Sequence, residues 1–282
     1  MKQWSSQMSF SFNEITANEA NKTLIVDALN LAFRWKHQRR TDFRHEYVAT
    51  VESLAKSYKC ENIIITADQG SSSYRKNILS SYKQNRKDKY STQTEEEKAE
   101  FKAFFEEYER TLEILKDTTT VVRRDSTEAD DLAAHIVKYK DKYGIGDIVL
   151  ISSDRDWDLL IQKGVMRFSY VTRKEITVEN WNEHYEVDIE QYACFKCLTG
   201  DKGDNVPGYP GVGPKRAAIL LKEYGSAYNI YDSIPLEGKY KYIQEINNNP
   251  ELILQNYELM DLLTHCDDAI GTNELPQLYK EK

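Results

Sequence analysis

The chain has 282 residues, of which 40% are hydrophobic, and a formal net charge of −8 at pH 7. This length allows one large domain or two small ones, and no run approaches the roughly 20 apolar residues that a membrane helix needs. The acidic balance argues against binding nucleic acid through a general surplus of Lys and Arg, unless acids hold metal ions that attract phosphate. Four scattered cysteines and no charged-plus-apolar leader favour a reduced, cytoplasmic setting.

Residues 1–20 are rich in Ser, Asn and Gln, so we expect a poorly ordered tail. From 21 to about 187, short β-rich runs alternate with longer helical patterns, which is typical of parallel strands joined by crossover helices. The predicted strands are 23–28, 62–67, 118–123 and 147–152, and the predicted helices are 47–58, 95–116 and 129–143. The pattern predicts an α/β domain with a central, mostly parallel sheet flanked by helices.

Two parts of the chain depart from this alternation. Residues 74–90 are polar and basic, show no strong strand pattern and are too long for an ordinary loop, so this segment is functional or disordered. From 188 to 282, Gly, Pro and helix patterns dominate, which predicts a second, helical subdomain.

Acidic residues follow the predicted strands where each strand ends. They are Asp27, Asp68, Glu128, Asp130, Asp131, Asp154 and Asp156. Because the carboxyl ends of parallel strands share one edge of a sheet, we expect these side chains to converge there. A single Asp at such a place is more commonly a turn former or a helix cap. Capping does not explain the paired acids at 130/131 and 154/156, however.

Gathered carboxylates need compensating charge, since two unit charges about 4 Å apart repel by roughly 4 kcal/mol at an effective dielectric of 20. Oxygen ligands alone favour a hard cation, Mg²⁺ or Mn²⁺. Two such ions about 4 Å apart are a known device for in-line cleavage of phosphodiesters. The acidic pattern therefore indicates phosphoryl chemistry.

A glycine-rich stretch from 199 to 218 adds Asp201 and Asp204, and it then reads as a helix, a glycine hairpin and a helix. Glycines allow the backbone to approach a partner, and the following helix N-terminus directs amides toward a DNA phosphate. Lys215 and Arg216 would strengthen that surface. A plain corner between two helices is the alternative.

Five segments occur in the order found in the flap endonuclease and 5′-exonuclease family: IVDALN, TAD, STEADDLAAH, SSDRDWDLL and GDKGDNVPGYPGVGPKRAA. From about residue 21 to its end the chain resembles that family, and most of all its phage-encoded members. The resemblance implies a PIN-like 5′-nuclease fold with a helical arch over about 80–116, through which a free 5′ strand passes. It also implies that the helix-hairpin-helix of the C-terminal subdomain binds duplex DNA.

The resemblance also implies roles for individual residues. The first metal ion would be served by Asp27, Asp68, Glu128, Asp130 and Asp131, and the second by Asp154, Asp156, Asp201 and Asp204. The expected ions are two Mg²⁺, with Mn²⁺ as a substitute, and K⁺ at the hairpin. The catalytic residues would be Lys83, Arg86, Asp27 and Asp130, and the DNA-binding residues Phe33, Tyr82, Lys83, Arg86, Gly208, Gly211, Gly213, Lys215 and Arg216. Arg155 departs from the family, where a small residue is common.

The chemistry of these side chains supports some of these roles without the resemblance. A cation beside metal ions stabilises charge developing on a phosphate, and the Tyr82 ring offers a surface for base stacking. A solvated basic loop is the alternative for Lys83 and Arg86. Phe33 is equally compatible with a place in the core.

The expected function is a structure-specific 5′ nuclease, acting as flap endonuclease and 5′-3′ exonuclease, that leaves a 5′-phosphate and a 3′-hydroxyl by two-metal-ion catalysis. We expect DNA with a free 5′ end, flap or fork as substrate, RNA–DNA hybrids as a further substrate, and a monomer working in DNA replication or repair. For a phage-encoded protein the location is the cytoplasm of the host cell. Two alternatives stay open: a non-catalytic, structure-specific DNA-binding protein, and an acidic metal-buffering or scaffold protein.

Overall fold

A computed structural model describes residues 21–279, so the predicted tail at 1–20 lies outside the described residues. A six-stranded sheet with the order β3-β2-β1-β4-β5-β6 organises the N-terminal part, and only β6 is antiparallel to its neighbour. The strands are β1 (Thr23–Asp27), β2 (Asn62–Thr66), β3 (Thr120–Val122), β4 (Ile148–Ile151), β5 (Val165–Ser169) and β6 (Lys174–Ile176). The chain order reverses direction between β1 and β4, where open α/β sheets form a crevice.

Helices cover both faces of this sheet, so the central strands are apolar on both sides. Leu24 and Val26 face one cluster, formed with α1 (Ala28–Lys36), α2 (Arg44–Tyr58) and α5 (Glu95–Leu115). Ile25 faces the other cluster, formed with α6 (Ala129–Lys138) and α12 (Leu262–Ile270). Between β2 and α5 lie α3 (Ser73–Ile78) and α4 (Gln84–Ser91).

The C-terminal part has a core of its own. It contains α7 (Tyr192–Thr199), α8 (Pro214–Tyr224), α9 (Ala227–Asp232), α10 (Lys241–Asn248) and α11 (Glu251–Met260). The last helix, α12, instead packs against α6 through Leu262, Cys266 and Ile270. The N-terminal sheet is therefore closed on one face by the C-terminal end of the chain.

The predicted fold class agrees with this architecture, and the four predicted strands lie within two residues of β1 to β4. One prediction needs correction. The helix expected at 129–143 ends at Lys138, and the segment 74–90, for which disorder was one of two readings, contains most of α3 and α4. α4 and the exposed N-terminal half of α5 occupy the segment that was predicted to be the arch, and we use that name for them. Within residues 21–279, no helix is both long and apolar enough to cross a membrane.

Candidate active site

The carboxylates that follow β1 and β2 are held by local hydrogen bonds. Asp27 ends β1 and caps α1, because its Oδ1 accepts from the backbone N–H of Asn30 at 3.1 Å. Its Oδ2 accepts from the hydroxyl of Ser152, after β4, at 2.8 Å. Asp68 accepts from the backbone N–H of Ala129 at 2.7 Å, which ties the end of β2 to the start of α6. Asp27 therefore caps a helix and also lies at the carboxyl edge of the sheet.

Two more carboxylates join this edge. Asp130, in the first turn of α6, accepts from the Trp157 indole N–H at 2.6 Å. Asp154 follows β4 and accepts from the backbone N–H of Asp156 at 3.0 Å, at the start of the 3₁₀ helix Arg155–Leu160. We call the four carboxylates Asp27, Asp68, Asp130 and Asp154 the strand-end acids.

Burial and mutual repulsion raise the pKa values of two strand-end acids, Asp27 and Asp130. Burial, together with the charges of Asp68 and Asp154, raises the pKa of Asp27 to about 8. Burial, Asp154 and Asp27 likewise raise the pKa of Asp130 well above its ordinary value. Because ionising such a carboxylate costs free energy, a bound cation stabilises its charged form more than that of an ordinary carboxylate.

Lys83 and Arg86, at the start of α4, form the foot of the arch, and they supply cations to the neighbouring acids. Lys83 Nζ lies 2.8 Å from Glu128 Oε1 and 3.5 Å from Asp204 Oδ2, and Arg86 Nη2 lies 2.5 Å from Asp204 Oδ1. Burial would raise the pKa of Glu128, but Lys83 and Arg75 outweigh it and lower that pKa to about 2. Glu128 and Asp204 are thus already neutralised by the chain's own cations, and we call them the arch-side acids.

A second pair of acids, Asp156 and Asp201, shares Lys196, a residue that the sequence did not single out. Its Nζ donates to Asp156 and lies 3.2 Å from Asp201. Burial raises the pKa of Asp156 to about 6 despite Lys196, whereas Lys196 lowers the pKa of Asp201 against the effect of burial. The available signal was a single lysine on the apolar helix α7, five residues before Asp201.

Asp131 was predicted as a metal ligand, and the structure gives its side chain a different partner, Arg75. The Asp131 side chain is fully buried, and its two oxygens each accept a hydrogen bond from the Arg75 guanidinium at 2.7 Å. Arg75 also donates to the Leu259 carbonyl at 3.1 Å, so this ion pair joins α6 to α3 and the end of α11. Successive residues of a helix point about 100° apart, so Asp130 and Asp131 point in different directions, and a role of Asp131 as a metal ligand stays a prediction.

Tyr82 was predicted to stack on a DNA base, a prediction that its burial in the structure does not support. The residue is 4% exposed, so its ring is covered by protein. Its hydroxyl lies 3.0 Å from Glu128 Oε2 and 2.9 Å from Asp204 Oδ2. Tyr82 therefore links the two arch-side acids through its single hydroxyl proton.

The hairpin residues lie in the C-terminal part, beside a cavity of about 580 Å³ that 199–213 lines. Gly211 has a φ of +82°, a conformation that favours glycine. Its carbonyl accepts from Arg216 at 2.6 Å, and the Arg216 guanidinium lies 4.7 Å from the Tyr242 ring centroid. Gly213 and Lys215 are exposed at the start of α8.

Gly208 has an internal reason for lacking a side chain. A Cβ added there would lie 2.0 Å from the carbonyl oxygen of Thr199, so the glycine allows two backbone segments to touch. Phe33 is half-buried and stacks on Phe104 with ring centroids 5.8 Å apart. Arg155 is exposed, and in the described part of the chain it forms no ion pair. Contacts of Gly208 and Phe33 with DNA stay predictions.

The remaining acid set fits a hard divalent cation. It offers only carboxylate oxygens, and they come from the carboxyl edge of the sheet and from the 201–204 turn. The strand-end acids carry charge that the chain does not balance, as the raised pKa values of Asp27 and Asp130 indicate. The arrangement is therefore suited to bind metal ions next to a phosphate.

Comparisons with known proteins agree with this geometry. Residues 22–186 match the 5′-3′ exonuclease N-terminal resolvase-like domain, and residues 187–280 match the 5′-3′ exonuclease C-terminal SAM fold. The chain belongs to the 5′-3′ exonuclease family. Within this family it is 44% identical to the flap endonuclease of Escherichia phage T5 over 88% of this chain and 86% of the relative. It is 27% identical to the flap endonuclease Xni of Shewanella halifaxensis over 86% and 94% of the two chains.

A solved structure of the family has the same fold. The T5 D15 flap endonuclease, in a pseudo-enzyme-product complex with DNA and metal ions, superimposes with a TM-score of 0.86 and 42% identity. The match covers 91% of this chain and 95% of that chain. The predicted family and fold class are thereby confirmed.

Proposed function

We propose that this exonuclease-family protein is a structure-specific 5′ nuclease, acting as flap endonuclease and 5′-3′ exonuclease on DNA. The observation that carries the proposal is the set of carboxylates at the carboxyl edge of the sheet, below an arch whose foot supplies Lys83 and Arg86. The family match and the DNA and metal ions in the T5 D15 complex support it. Replication or repair of DNA is the role that such an activity would serve.

Two Mg²⁺ ions are the proposed cofactors, with Mn²⁺ as a substitute. Residues that would hold them are Asp27, Asp68, Glu128, Asp130, Asp154, Asp156, Asp201 and Asp204. Bound divalent ions would polarise the scissile phosphate and make water a nucleophile at neutral pH. Our assignment of individual acids to each ion follows the family, with Asp131 kept as a prediction because it pairs with Arg75.

The chain's own cations would position and neutralise the phosphate. Lys83 and Arg86 contact Glu128 and Asp204, and an arriving phosphate offers them an alternative anion. With Glu128 and Asp204 holding metal ions, Lys83 and Arg86 would be free to contact the phosphate. Catalysis by the protein then consists chiefly of orientation and charge balance.

Duplex DNA would bind at the hairpin through Lys215, Arg216 and backbone amides, and the free 5′ strand would pass under the arch. A monovalent cation, K⁺, is proposed at the hairpin backbone beside Gly211 and Gly213. RNA in RNA–DNA hybrids is proposed as a second substrate, because the same metal-binding acids would serve the cleavage of an RNA or a DNA phosphodiester. We propose a monomer, since every site residue comes from one chain, and a place in the host cytoplasm by similarity to the phage protein.

Cleavage of a 5′-labelled flap in Mg²⁺ tests the proposal. We expect cuts near the junction of single strand and duplex, abolished by EDTA and by Asp156→Asn. Asp117→Asn is the matched control, because Asp117 is exposed in the turn that leads into the opposite end of the sheet. Flap binding without cleavage by the unmodified protein would favour the non-catalytic DNA-binding protein. Failure to bind the flap at all would favour the metal-buffering or scaffold protein.

A further inference from the structure

The last turn of α1 places the ammonium of Lys36 among three phenylalanine rings. Its Nζ lies 4.7 Å from the ring centroid of Phe33, 4.2 Å from that of Phe101 and 5.5 Å from that of Phe104. At such distances a cation is attracted to the face of an aromatic ring. Within residues 21–279 Lys36 forms no ion pair, and burial and Lys89 lower its pKa. The rings are therefore its principal partners, and we call these four residues the Lys36 cage.

The cage joins helices that are far apart in the sequence. Phe33 belongs to α1, whereas Phe101 and Phe104 belong to α5. Phe33 and Phe104 are stacked, with centroids 5.8 Å apart and planes inclined by 10°. Phe101 also contacts Tyr90 of α4, with centroids 4.9 Å apart. Lys36 thus lies where α1 meets both legs of the arch.

The cage also marks the level at which α5 leaves the body of the protein. Phe104 is the first buried residue of α5, and Tyr108 and Leu112 continue the buried stripe. All residues from 95 to 100 are exposed. A helix that is packed along only one half moves most easily about its last packed turn. The cage therefore lies at the pivot of the arch.

The same helix that carries Lys36 starts at the site. α1 has nine residues, and its N-cap is Asp27, one of the strand-end acids. Phe33 lies between Asp27 and Lys36 on α1, so a shift of α5 against the cage would also displace α1. One short, packed helix, α1, therefore connects the arch to the strand-end acids.

We propose that Lys36 is a positioning residue, which fixes the arch over the strand-end acids by holding α5 against α1 through its contacts with the three phenylalanine rings. The inference rests on the proposed nuclease function. Lys36→Met keeps the apolar stem and most of the packing but removes the charge, so it releases the arch without opening a cavity. A 5′ strand under a looser arch is oriented less well for cleavage, although its binding to the hairpin is unchanged.

The test combines hydrogen exchange of the DNA-free protein with single-turnover cleavage of a 5′ flap. For Lys36→Met we expect faster exchange confined to about 84–104, and a fall in the cleavage rate of about 5- to 20-fold, the size expected for losing a partly buried cation–π contact. The half-saturating DNA concentration should change little. Lys36→Arg should restore both readouts. Lys102→Met is the charge-matched control on α5, the helix that the cage holds, because the Lys102 side chain is 80% exposed.

Three outcomes would overturn the inference. Unchanged exchange in 84–104 would show that the charge does not hold the arch. Weaker DNA binding with unchanged exchange and unchanged maximal rate would make Lys36 a direct phosphate contact. Faster exchange throughout the sheet would make it a general core residue. An unmodified protein that never cuts the flap would refute the proposed function, and the exchange comparison would still decide whether Lys36 holds the arch.

Discussion

Glu128 and Asp27 belong to one group of carboxylates but lie in opposite electrostatic surroundings. Lys83 and Arg75 lower the pKa of Glu128 to about 2, whereas burial and neighbouring acids raise that of Asp27 to about 8. The arch-side acids are balanced by the chain's own cations, and the strand-end acids are not. We infer from this difference that a metal ion is attracted first to the strand-end acids, and that a phosphate could replace Glu128 and Asp204 as the partner of Lys83 and Arg86.

Lys83→Met should break this comparison most strongly. It removes the cation that would meet the scissile phosphate, so we expect the single-turnover rate to fall about 100- to 1,000-fold, as when a charge-stabilising donor is lost. Glu128 would lose one of its two neutralising partners and keep Arg75, so Mg²⁺ should bind more tightly rather than less. Rates and Mg²⁺ titrations on the same preparation check both directions. Weaker Mg²⁺ binding together with slower cleavage would contradict the account.

Asp27→Asn should stabilise the metal-free protein at alkaline pH. Its raised pKa means that the native state holds the proton more strongly than the unfolded chain between about pH 4 and pH 8, so stability falls as pH rises through that interval. Removing the charge should recover on the order of 1 to 3 kcal/mol at pH 8, or about 3 to 8 °C in Tm.

Thermal unfolding in EDTA at pH 5 and pH 8 measures this effect. The gain should be large at pH 8 and small at pH 5, where Asp27 is protonated in the native protein. Asp117→Asn, an exposed site, should show no gain at either pH. A loss of stability at pH 8 would mean that the strand-end acids are compensated within the chain.

Lys196→Met should change the pH dependence of metal binding. Without this cation the pKa of Asp156, already raised to about 6 by burial, should rise further, so more alkaline solution is needed to ionise it. We expect Mg²⁺ binding to weaken about tenfold at pH 6.5, and to become tighter than in the unmodified protein at pH 8.5, where Asp156 is ionised and Lys196 no longer competes with the metal ion. An equal change at both pH values would point to a packing defect instead.

Lys215→Ala should have the smallest effect. The residue is exposed at the start of α8, so the expected loss is one phosphate contact. Flap binding at low salt should weaken about two- to fivefold, and the slope of log Kd against log salt should decrease by about 1. An unchanged slope would place the DNA elsewhere on the C-terminal part.

Positions along the chain predicted the fold and the strand-end acids, because Asp27, Asp68 and Asp154 follow apolar runs whose direction in the sheet is fixed. Strand β5 was missed because Arg167 interrupts its apolar pattern, and only the fold shows that Arg167 pairs with the buried Asp158. The partner of Asp131 is Arg75, 56 residues earlier. Such long-range partners leave no local pattern in a single sequence.

The central claim is that the strand-end acids, unlike the arch-side acids, lack a compensating charge within the chain. Calorimetry of Mn²⁺ binding to the metal-free protein at pH 7, in two buffers of different ionisation enthalpy, tests it most directly. Because Asp27 has a pKa of about 8, binding should release on the order of one proton per protein. Asp27→Asn should release fewer. Tight Mn²⁺ binding with no proton release in the unmodified protein would contradict the claim that the strand-end acids await a cation.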